Sequence, residues 1–240
     1  MNIALLGYGK MGKLIGELAE ARGHQIVGKI NLENQEERDL IDPKTVDVAI
    51  EFSQPEAAVD NIKWAIHHQI PVLSGTTGWL SNLKEIEELT HHKNGTFFYA
   101  SNFSIGVNVF FKVNEFLAQL MQETQGYQTE IEEIHHTEKK DAPSGTAITL
   151  AEGILKHLRQ LKNWELQGDL PVPATSLPIT SKRIDPAPGT HYVRFRSEID
   201  TLEIVHTAHS RQGFALGAIQ VAEWILGKKG VLSMNDYLSL

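Results

Sequence analysis

Two imidazoles, an ammonium group and a helix start stand close together in the run Glu132-Glu133-Ile134-His135-His136-Thr137-Glu138-Lys139-Lys140-Asp141-Ala142-Pro143-Ser144-Gly145-Thr146-Ala147. The pattern reads as the end of a strand, a polar loop and the opening of a helix. Ser144 is suited to cap that helix, which leaves the amides of Gly145 and Thr146 free at the positive end of its dipole. Lys139, His135 and His136 bring further positive charge to the same place. A small anion, and a carboxylate in particular, is the expected occupant. An imidazole with an ordinary pKa of about 6.5 is suited to give up a proton there at neutral pH. No metal is assigned, because neighbours on a strand point to opposite faces and the sequence has neither an H-x-x-x-H partner nor a cysteine. The doublets His67-His68 and His91-His92 fall near helix ends and read as solvated. Lys139 and the Ser-Gly-Thr helix start set the third doublet apart.

A second constellation opens the chain. Gly7-Tyr8-Gly9-Lys10-Met11-Gly12 follows an apolar strand and starts a helix, the context in which G-x-G-x-x-G binds a dinucleotide. Gly7 permits the tight turn, Gly9 lets backbone approach a pyrophosphate and Gly12 allows close packing of helix on strand. The acid that would hold the adenosine ribose is Glu33, with Asn31 able to share or take the role. No Arg follows at once to receive a 2′-phosphate, and Lys29 and Arg38 are the nearest cations, so NADH and NADPH both stay open. Three further loops end strands on the same edge of the sheet: Phe52-Ser53-Gln54-Pro55, Gly75-Thr76-Thr77-Gly78 and Ala100-Ser101-Asn102-Phe103-Ser104. Ligands of open α/β sheets bind at that edge.

These residues need a scaffold, and the periodicity supplies one. Strands are predicted at Asn2–Leu6, Gln25–Ile30, Asp47–Phe52, Pro71–Ser74 and Thr96–Ala100, with helices at Lys10–Arg22, Pro55–His68 and Leu80–His92 between them. Such alternation implies a parallel, Rossmann-like sheet. The polar segment Leu32–Thr45 reads as an exposed loop with a short helical turn. After Ser104 the pattern changes to a helix Gly106–Gln122, a strand Thr129–His136, a helix from Gly145 to Leu161, a Pro-rich stretch Gly168–Pro178, and strands near Ile179–Arg183, His191–Arg196 and Thr201–Ala208. This is an α+β unit with an open mixed or antiparallel sheet. A last helix, Gly213–Leu226, is expected to return to the first unit. The predicted division is therefore 1–104 with 212–240 as dinucleotide-binding domain and 105–211 as substrate-binding and oligomerisation domain.

Composition narrows the partners. The chain of 240 residues carries a formal charge of -8, with 41% hydrophobic and 22% charged residues. That balance disfavours nucleic acid, whose phosphates need clustered Lys and Arg. The longest apolar stretches, such as Ile3–Leu6 and Val107–Phe111, fall well short of the roughly 20 residues that span a bilayer. The start of the chain lacks the basic-then-apolar order of a secretory signal, and the absence of cysteine fits a cytosolic protein.

The run from Glu133 to Ala147 resembles the signature of the 4-hydroxy-tetrahydrodipicolinate reductase (dihydrodipicolinate reductase) family. The likeness extends to the Gly-rich turn, Gly75-Thr76-Thr77-Gly78, Ala100 to Asn108, Gly189-Thr190-His191, Glu203-x-x-His206 and Ser210-Arg211-x-x-Phe214-Ala215-x-Gly217-Ala218. The resemblance implies a cytoplasmic reductase of the diaminopimelate route to lysine. It would use NADH or NADPH on a small cyclic dicarboxylate and form a homotetramer through the sheets of its second domain. By the same resemblance, His135 matches the proton donor and Lys139 the second catalytic residue, while His136, Ser144, Gly145 and Thr146 match positions that hold substrate carboxylates. Gly7, Met11, Gly12, Glu33, Gly75, Thr77, Ala100 and Phe103 match dinucleotide contacts, to which the motif and loops add Tyr8, Gly9, Lys10, Ser53, Thr76, Ser101 and Asn102. Glu51 and Ser53 stand where Asp and Thr are common, Asn34 replaces an Arg that often follows the ribose-binding acid, and the segment between Glu33 and Asp47 is short. Closure about the crossings near Ser104 and Arg211 is expected to accompany turnover.

Overall fold

The computed structural model describes residues 1–239, which fall into two compact units, 1–105 with 212–239 and 106–211. In the first unit β1 (Asn2–Leu6), β2 (Gln25–Ile30), β3 (Val48–Glu51), β4 (Val72–Ser74) and β5 (Thr96–Tyr99) alternate with α1 (Lys10–Ala21), α2 (Pro55–His67) and α3 (Leu83–His92). All pairings are parallel, and with β11 (Gly230–Leu232) the strand order is β11-β5-β4-β3-β1-β2, so that β1 and β3 are both paired on either side. Strands in such a sheet are covered on both faces, and β1 and β3 are accordingly apolar almost without interruption. One face is filled by Ile3, Leu5, Val48 and Ile50 against Ile15 and Ala19 of α1, the other by Ala4, Leu6, Ala49 and Val72 against Ile62, Ala65 and Ile66 of α2.

The predicted ends of these elements differ from the observed ones by a residue or two, as fraying termini do, except that the helix predicted from Leu80 begins at Leu83, behind a 3-10 turn at Leu80–Asn82. The segment 32–45 contains two short 3-10 turns, Gln35–Leu40 and Pro43–Thr45, the second capped by Asp42 through the Lys44 amide at 3.1 Å. Two elements of the first unit were not expected. β11 (Gly230–Leu232) adds an edge strand beside β5, and α7 (Met234–Leu238) follows it behind a capping box of Ser233 and Asp236. Each is too short to carry a periodic signal. The returning helix α6 (Gln212–Ile225) belongs to the first unit and buries Ala215, Gly217, Ala218, Ile219, Val221, Ala222 and Ile225.

In the second unit α4 (Ile105–Met121), β6 (Gln128–His135), α5 (Gly145–Leu155), β7 (Asn163–Leu166), β8 (Ser176–Arg183), β9 (Gly189–Arg196) and β10 (Thr201–Ala208) follow in order. The sheet runs β10-β9-β6-β8-β7, antiparallel on the β9 side of β6 and parallel on the β8 side. Its inner face carries Ile131, Leu177, Ile179, Val193 and Phe195 against Phe110 and Ala118 of α4 and Leu150 and Ile154 of α5. The outer face is polar. Arg194 reaches Glu132 at 3.2 Å, Glu130 at 3.4 Å and Glu203, while Lys182 pairs with Glu132 at 3.0 Å.

Two expectations need correction here. The helix predicted to run to Leu161 stops at Leu155, and Leu158, fully buried beyond it, prolongs the apolar period through turns rather than helix. The Pro-rich stretch ends early, because β8 already begins at Ser176. Pro178 is tolerated within it since pairing with β6 starts only at Ile179. The edge strand β7 went unpredicted; it is short and held by β8 and by the Ser176 hydroxyl, which donates to Asn163 at 2.9 Å and Glu165 at 2.7 Å.

Gly217 shows how tightly α6 is seated: a Cβ there would lie 1.8 Å from the carbonyl oxygen of Phe103. Backbone cannot yield as a side chain would, so Gly217→Ala is expected to cost about 1–3 kcal/mol. The measurement is the urea midpoint of the first unit, followed by Trp224 fluorescence.

Candidate active site

The first β–α turn forms a cradle. Gly7 adopts φ 114°, and a Cβ on it would fall 2.1 Å from the Phe52 carbonyl oxygen; one on Gly12 would fall 2.1 Å from the oxygen of Gly7. A Cβ on Gly9 would meet nothing within 4 Å, so this backbone faces open space. Gly9 also caps α1 without a side-chain acceptor, which leaves first-turn amides for an anion. The amides of Gly7 and Tyr8 both donate to the Ile30 carbonyl, at 2.9 and 2.7 Å, and so lock the turn to the end of β2.

A cavity of about 370 Å³ lies over this turn, lined among others by Tyr8, Lys13, Glu33, Ser53 and Asn61. Of the predicted cofactor residues, Gly7, Tyr8, Gly9, Glu33 and Ser53 line it; Lys10, Met11 and Gly12 belong to the helix start beside it. Gly75, Thr76, Thr77, Ala100, Ser101, Asn102 and Phe103 follow the neighbouring strands β4 and β5 and do not line it. Asn31 does line the cavity, but its side-chain oxygen accepts from the Glu33 amide at 2.7 Å. Glu33 is thus the acid left at the rim. Arg38 donates to Asn61 at 3.0 Å and to Asp39 at 3.3 Å, so its guanidinium is committed within the fold. Beneath the cavity floor lies the fully buried Glu51, which accepts from Ser74 at 2.6 Å, from Thr76 at 2.9 Å, from the Ser53 amide at 2.9 Å and from the Ser53 hydroxyl. Burial raises its pKa despite these donors.

In the second unit the register of the sheet assembles a different kind of cluster. Glu133 of β6 pairs with Ser181 of β8 on one side and with His191 of β9 on the other, and His191 pairs in turn with His206 of β10. Side chains in register share a face, so the four form a row, with His135 two residues along the same face. Glu133 is fully buried. It accepts from the Ser181 hydroxyl at 2.8 Å and from the Ser144 amide at 3.1 Å on both oxygens. The Ser144 hydroxyl in turn caps α5 through the Ala147 amide at 3.2 Å and meets His191 Nε2 at 3.2 Å. Desolvation pushes the Glu133 pKa up, but the contacts of His191, Ser144 and Ser181 outweigh it and bring the carboxyl down to about 2.

His135 stands over this anion, with Nδ1 3.6 Å from Glu133 Oε2 and its ring 5.1 Å from that of His191. Burial lowers its pKa, Glu133 raises it, and the charges of His191, Lys139 and Arg183 lower it further, to about 4. The ordinary value expected from sequence does not hold in the unliganded protein, because this ring has left water. Lys139 is 2.8 Å from both oxygens of Asp141. Its loop is fastened from β8: Arg183 donates to the carbonyls of Lys139 at 3.2 Å, Asp141 at 2.6 Å and Lys182 at 3.0 Å. Ser144, Gly145 and Thr146 open α5 as expected, whereas His136 lies by Asp185, whose pKa it helps to lower. His135 and Ser144 are therefore brought together through Glu133, while His136 is turned elsewhere. Sequence reasoning missed Glu133, Ser181, Arg183 and His191 as members of the cluster; only the strand register identifies them.

A parallel sheet whose first turn is a glycine cradle, in one chain with a mixed sheet bearing a buried carboxylate–imidazole cluster, defines a Rossmann-type, nucleotide-dependent oxidoreductase. The comparisons narrow the class. Residues 1–103 match the family profile "Dihydrodipicolinate reductase, N-terminus" and residues 106–238 the profile "Dihydrodipicolinate reductase, C-terminus". The 4-hydroxy-tetrahydrodipicolinate reductase of Christiangramia forsetii is 51% identical over 239 residues, covering 100% of this chain and 98% of that protein. The reductase of the same name from Methanoregula boonei is 31% identical, covering 97% and 95%. Among solved structures, the dipicolinate-bound dihydrodipicolinate reductase from Paenisporosarcina sp. TG-14 superposes with a TM-score of 0.80 at 20% identity, covering 99% of each chain. The chain belongs to the dihydrodipicolinate reductase family. Among the described residues, no helix is long and apolar enough to cross a membrane.

The two buried groups set the acid stability of the second unit. Both have folded-state pKa values below their ordinary ones, His135 about 4 against 6.5 and Glu133 about 2 against 4.5. Each therefore contributes stability that is complete above the ordinary value and is lost as pH falls through the window to the folded value. Urea unfolding across a pH series is expected to show a loss on the order of 2–3 kcal/mol between the upper and lower ends of the imidazole window. In His135→Gln the slope in that window should flatten, while the lower, carboxylate window persists.

Proposed function

We propose that the chain reduces 4-hydroxy-tetrahydrodipicolinate to tetrahydrodipicolinate with NADH or NADPH, in the diaminopimelate route of lysine biosynthesis. The observation that carries this reading is the second-unit cluster: a helix start and an imidazole gathered on one buried carboxylate, with the Lys139 ammonium on the adjoining loop beside Asp141, in a chain of this family. Residues 1–104 with 212–240 act as the dinucleotide-binding domain and 105–211 as the substrate-binding and oligomerisation domain.

The glycine cradle suits a dinucleotide, since Gly7 and Gly12 admit no Cβ, Gly9 is open, and Glu33 stands at the cavity rim for a ribose. The reduced nicotinamide, when bound, supplies the hydride for C4 of the unsaturated ring that the substrate becomes on losing water. Around that reaction the chain's own residues bind, orient and protonate. The amides of Gly145 and Thr146 hold a substrate carboxylate at the positive end of α5, supported by Ser144. His136 contributes at the loop edge. Lys139 leaves Asp141 and stabilises the charge that grows along the ring. His135 delivers the proton. It is neutral at neutral pH when no ligand is present, and the two negative charges of a bound dicarboxylate shift it toward the protonated form needed for that step. Gly75, Thr76, Thr77, Ala100, Ser101, Asn102 and Phe103 form the remaining cofactor edge beside Tyr8, Lys10, Met11 and Ser53.

The family resemblance also supports a cytoplasmic homotetramer. The outer face of the mixed sheet carries the Arg194 ion-pair ladder, and α4 exposes Val109, Val113, Phe116 and Leu120 along one stripe. An apolar helical stripe of that kind is more often an interface than a solvent face. Light scattering coupled to gel filtration reads the assembly directly.

The activity is tested by following NADH and NADPH consumption, side by side, with freshly generated substrate. His135→Gln and Lys139→Ala are each expected to lower kcat by about 100-fold or more while cofactor affinity stays within about twofold of wild type. Loss of cofactor binding alone in these variants would contradict the assignment. Removing the negative charge at the cavity rim, in Glu33→Ser, should raise the kcat/KM ratio of NADPH to NADH about tenfold, since a carboxylate repels a 2′-phosphate.

A further inference from the structure

Glu133 lies deeper than a substrate-contacting residue needs to, and its oxygens are unequally used. Oε1 accepts from Ser181 at 2.8 Å and faces the Arg183 guanidinium at 3.6 Å. Oε2 faces two imidazoles, His135 Nδ1 at 3.6 Å and His191 Nε2 at 3.7 Å. Both distances exceed a formed hydrogen bond by a few tenths of an ångström, and His135 Nδ1, buried, has no other partner. A small closure of the ring toward Oε2 completes the bond. The opposite nitrogen is differently placed: a Cβ on Gly189 would lie 3.0 Å from His135 Nε2, so any residue larger than glycine there would crowd that atom.

We propose that Glu133 is the positioning residue of the proton transfer: it binds the Nδ1 proton of His135, so that Nε2 is the atom that hands a proton to the substrate ring. This deepens the reading given above, on which it rests. In the step, imidazolium loses the Nε2 proton to the ring as the hydride-derived electron pair is protonated, and neutral imidazole remains with its Nδ1 proton on Glu133. The nitrogen is reloaded from solvent. The same carboxylate holds the Ser144 amide, so acid and carboxylate-binding helix start are fixed to one buried anion. One ligand atom from each of Glu133, His135 and His191 also lies within 4.8 Å of the other two. A metal ion there would compete with the Ser144 and Ser181 donors and with Arg183 and Lys139 nearby, whereas a proton fits without displacing any of them. The groups facing His135 are Glu133 on its own strand, His191 on β9, Arg183 on β8 and Lys139 in the loop; of these only Glu133 favours its charged form.

The test is Glu133→Gln, which keeps an oxygen for Ser144 and Ser181 and removes only the charge. A group that must be protonated gives a rate that falls as pH rises through its pKa, and removing a neighbouring anion lowers that pKa. The alkaline limb of the kcat profile, which reports the acid in the liganded complex, is expected to move down by about one pH unit, with kcat reduced at least tenfold and KM for NADH unchanged. Glu133→Asp, which retains the charge, should hold the limb near its wild-type position. Nitrogen-15 NMR of histidine in the wild-type protein should find His135 in the Nδ1–H tautomer, a readout independent of whether any variant folds. An unmoved limb in Glu133→Gln, or the Nε2–H tautomer in wild type, overturns the proposal. If instead His135→Gln keeps full activity, it is the assignment of His135 as acid that fails.

Discussion

One buried charge organises the second unit. Placing a carboxylate in the interior costs several kcal/mol unless donors replace the lost water. Glu133 recovers that cost from a hydroxyl on β8 and an amide at the start of α5, with two imidazoles and a guanidinium close by. These partners come from β6, β8, β9 and the start of α5, so satisfying this one group fixes where those elements stand. The helix start, the loop that carries Lys139 and the ring of His135 are positioned together because they answer to the same anion.

The first unit meets its own constraint by different means. Its ligand edge is shaped by backbone, through glycines that lack the room for a Cβ, and its floor is stiffened by Glu51 bonded across β3 and β4. One unit thus prepares an anion-receptive surface by leaving amides free, the other by surrounding a fixed negative charge with groups whose protons are counted.

Much of this was legible in the sequence, for physical reasons. The inner strands of the first unit declare themselves because strands covered on both faces must be apolar throughout, and the glycine turn because its backbone admits nothing larger. His135, Lys139 and Ser144 were within reach because they are near one another along the chain. His191 and Ser181 were not. They reach Glu133 only through the register of β6 with β9 and β8, and a shift of one residue in either pairing would have turned them to the outer face. The lowered pKa of His135 was invisible for the same reason, since burial is a property of the assembled sheet. Short elements such as β7 and β11 offer too few residues for any period, and the apolar spacing that reaches Leu158 is the same whether backbone continues as helix or breaks into turns.

The clasp of Arg183 on the loop has an evolutionary consequence. Its guanidinium grips the peptide carbonyls of residues 139 and 141 rather than their side chains, so the course of the loop is dictated by an anchor that is blind to what those positions carry. Side chains there are free to be exchanged without remoulding the path beneath them. Single changes on this loop can therefore alter its chemistry while its outline is kept.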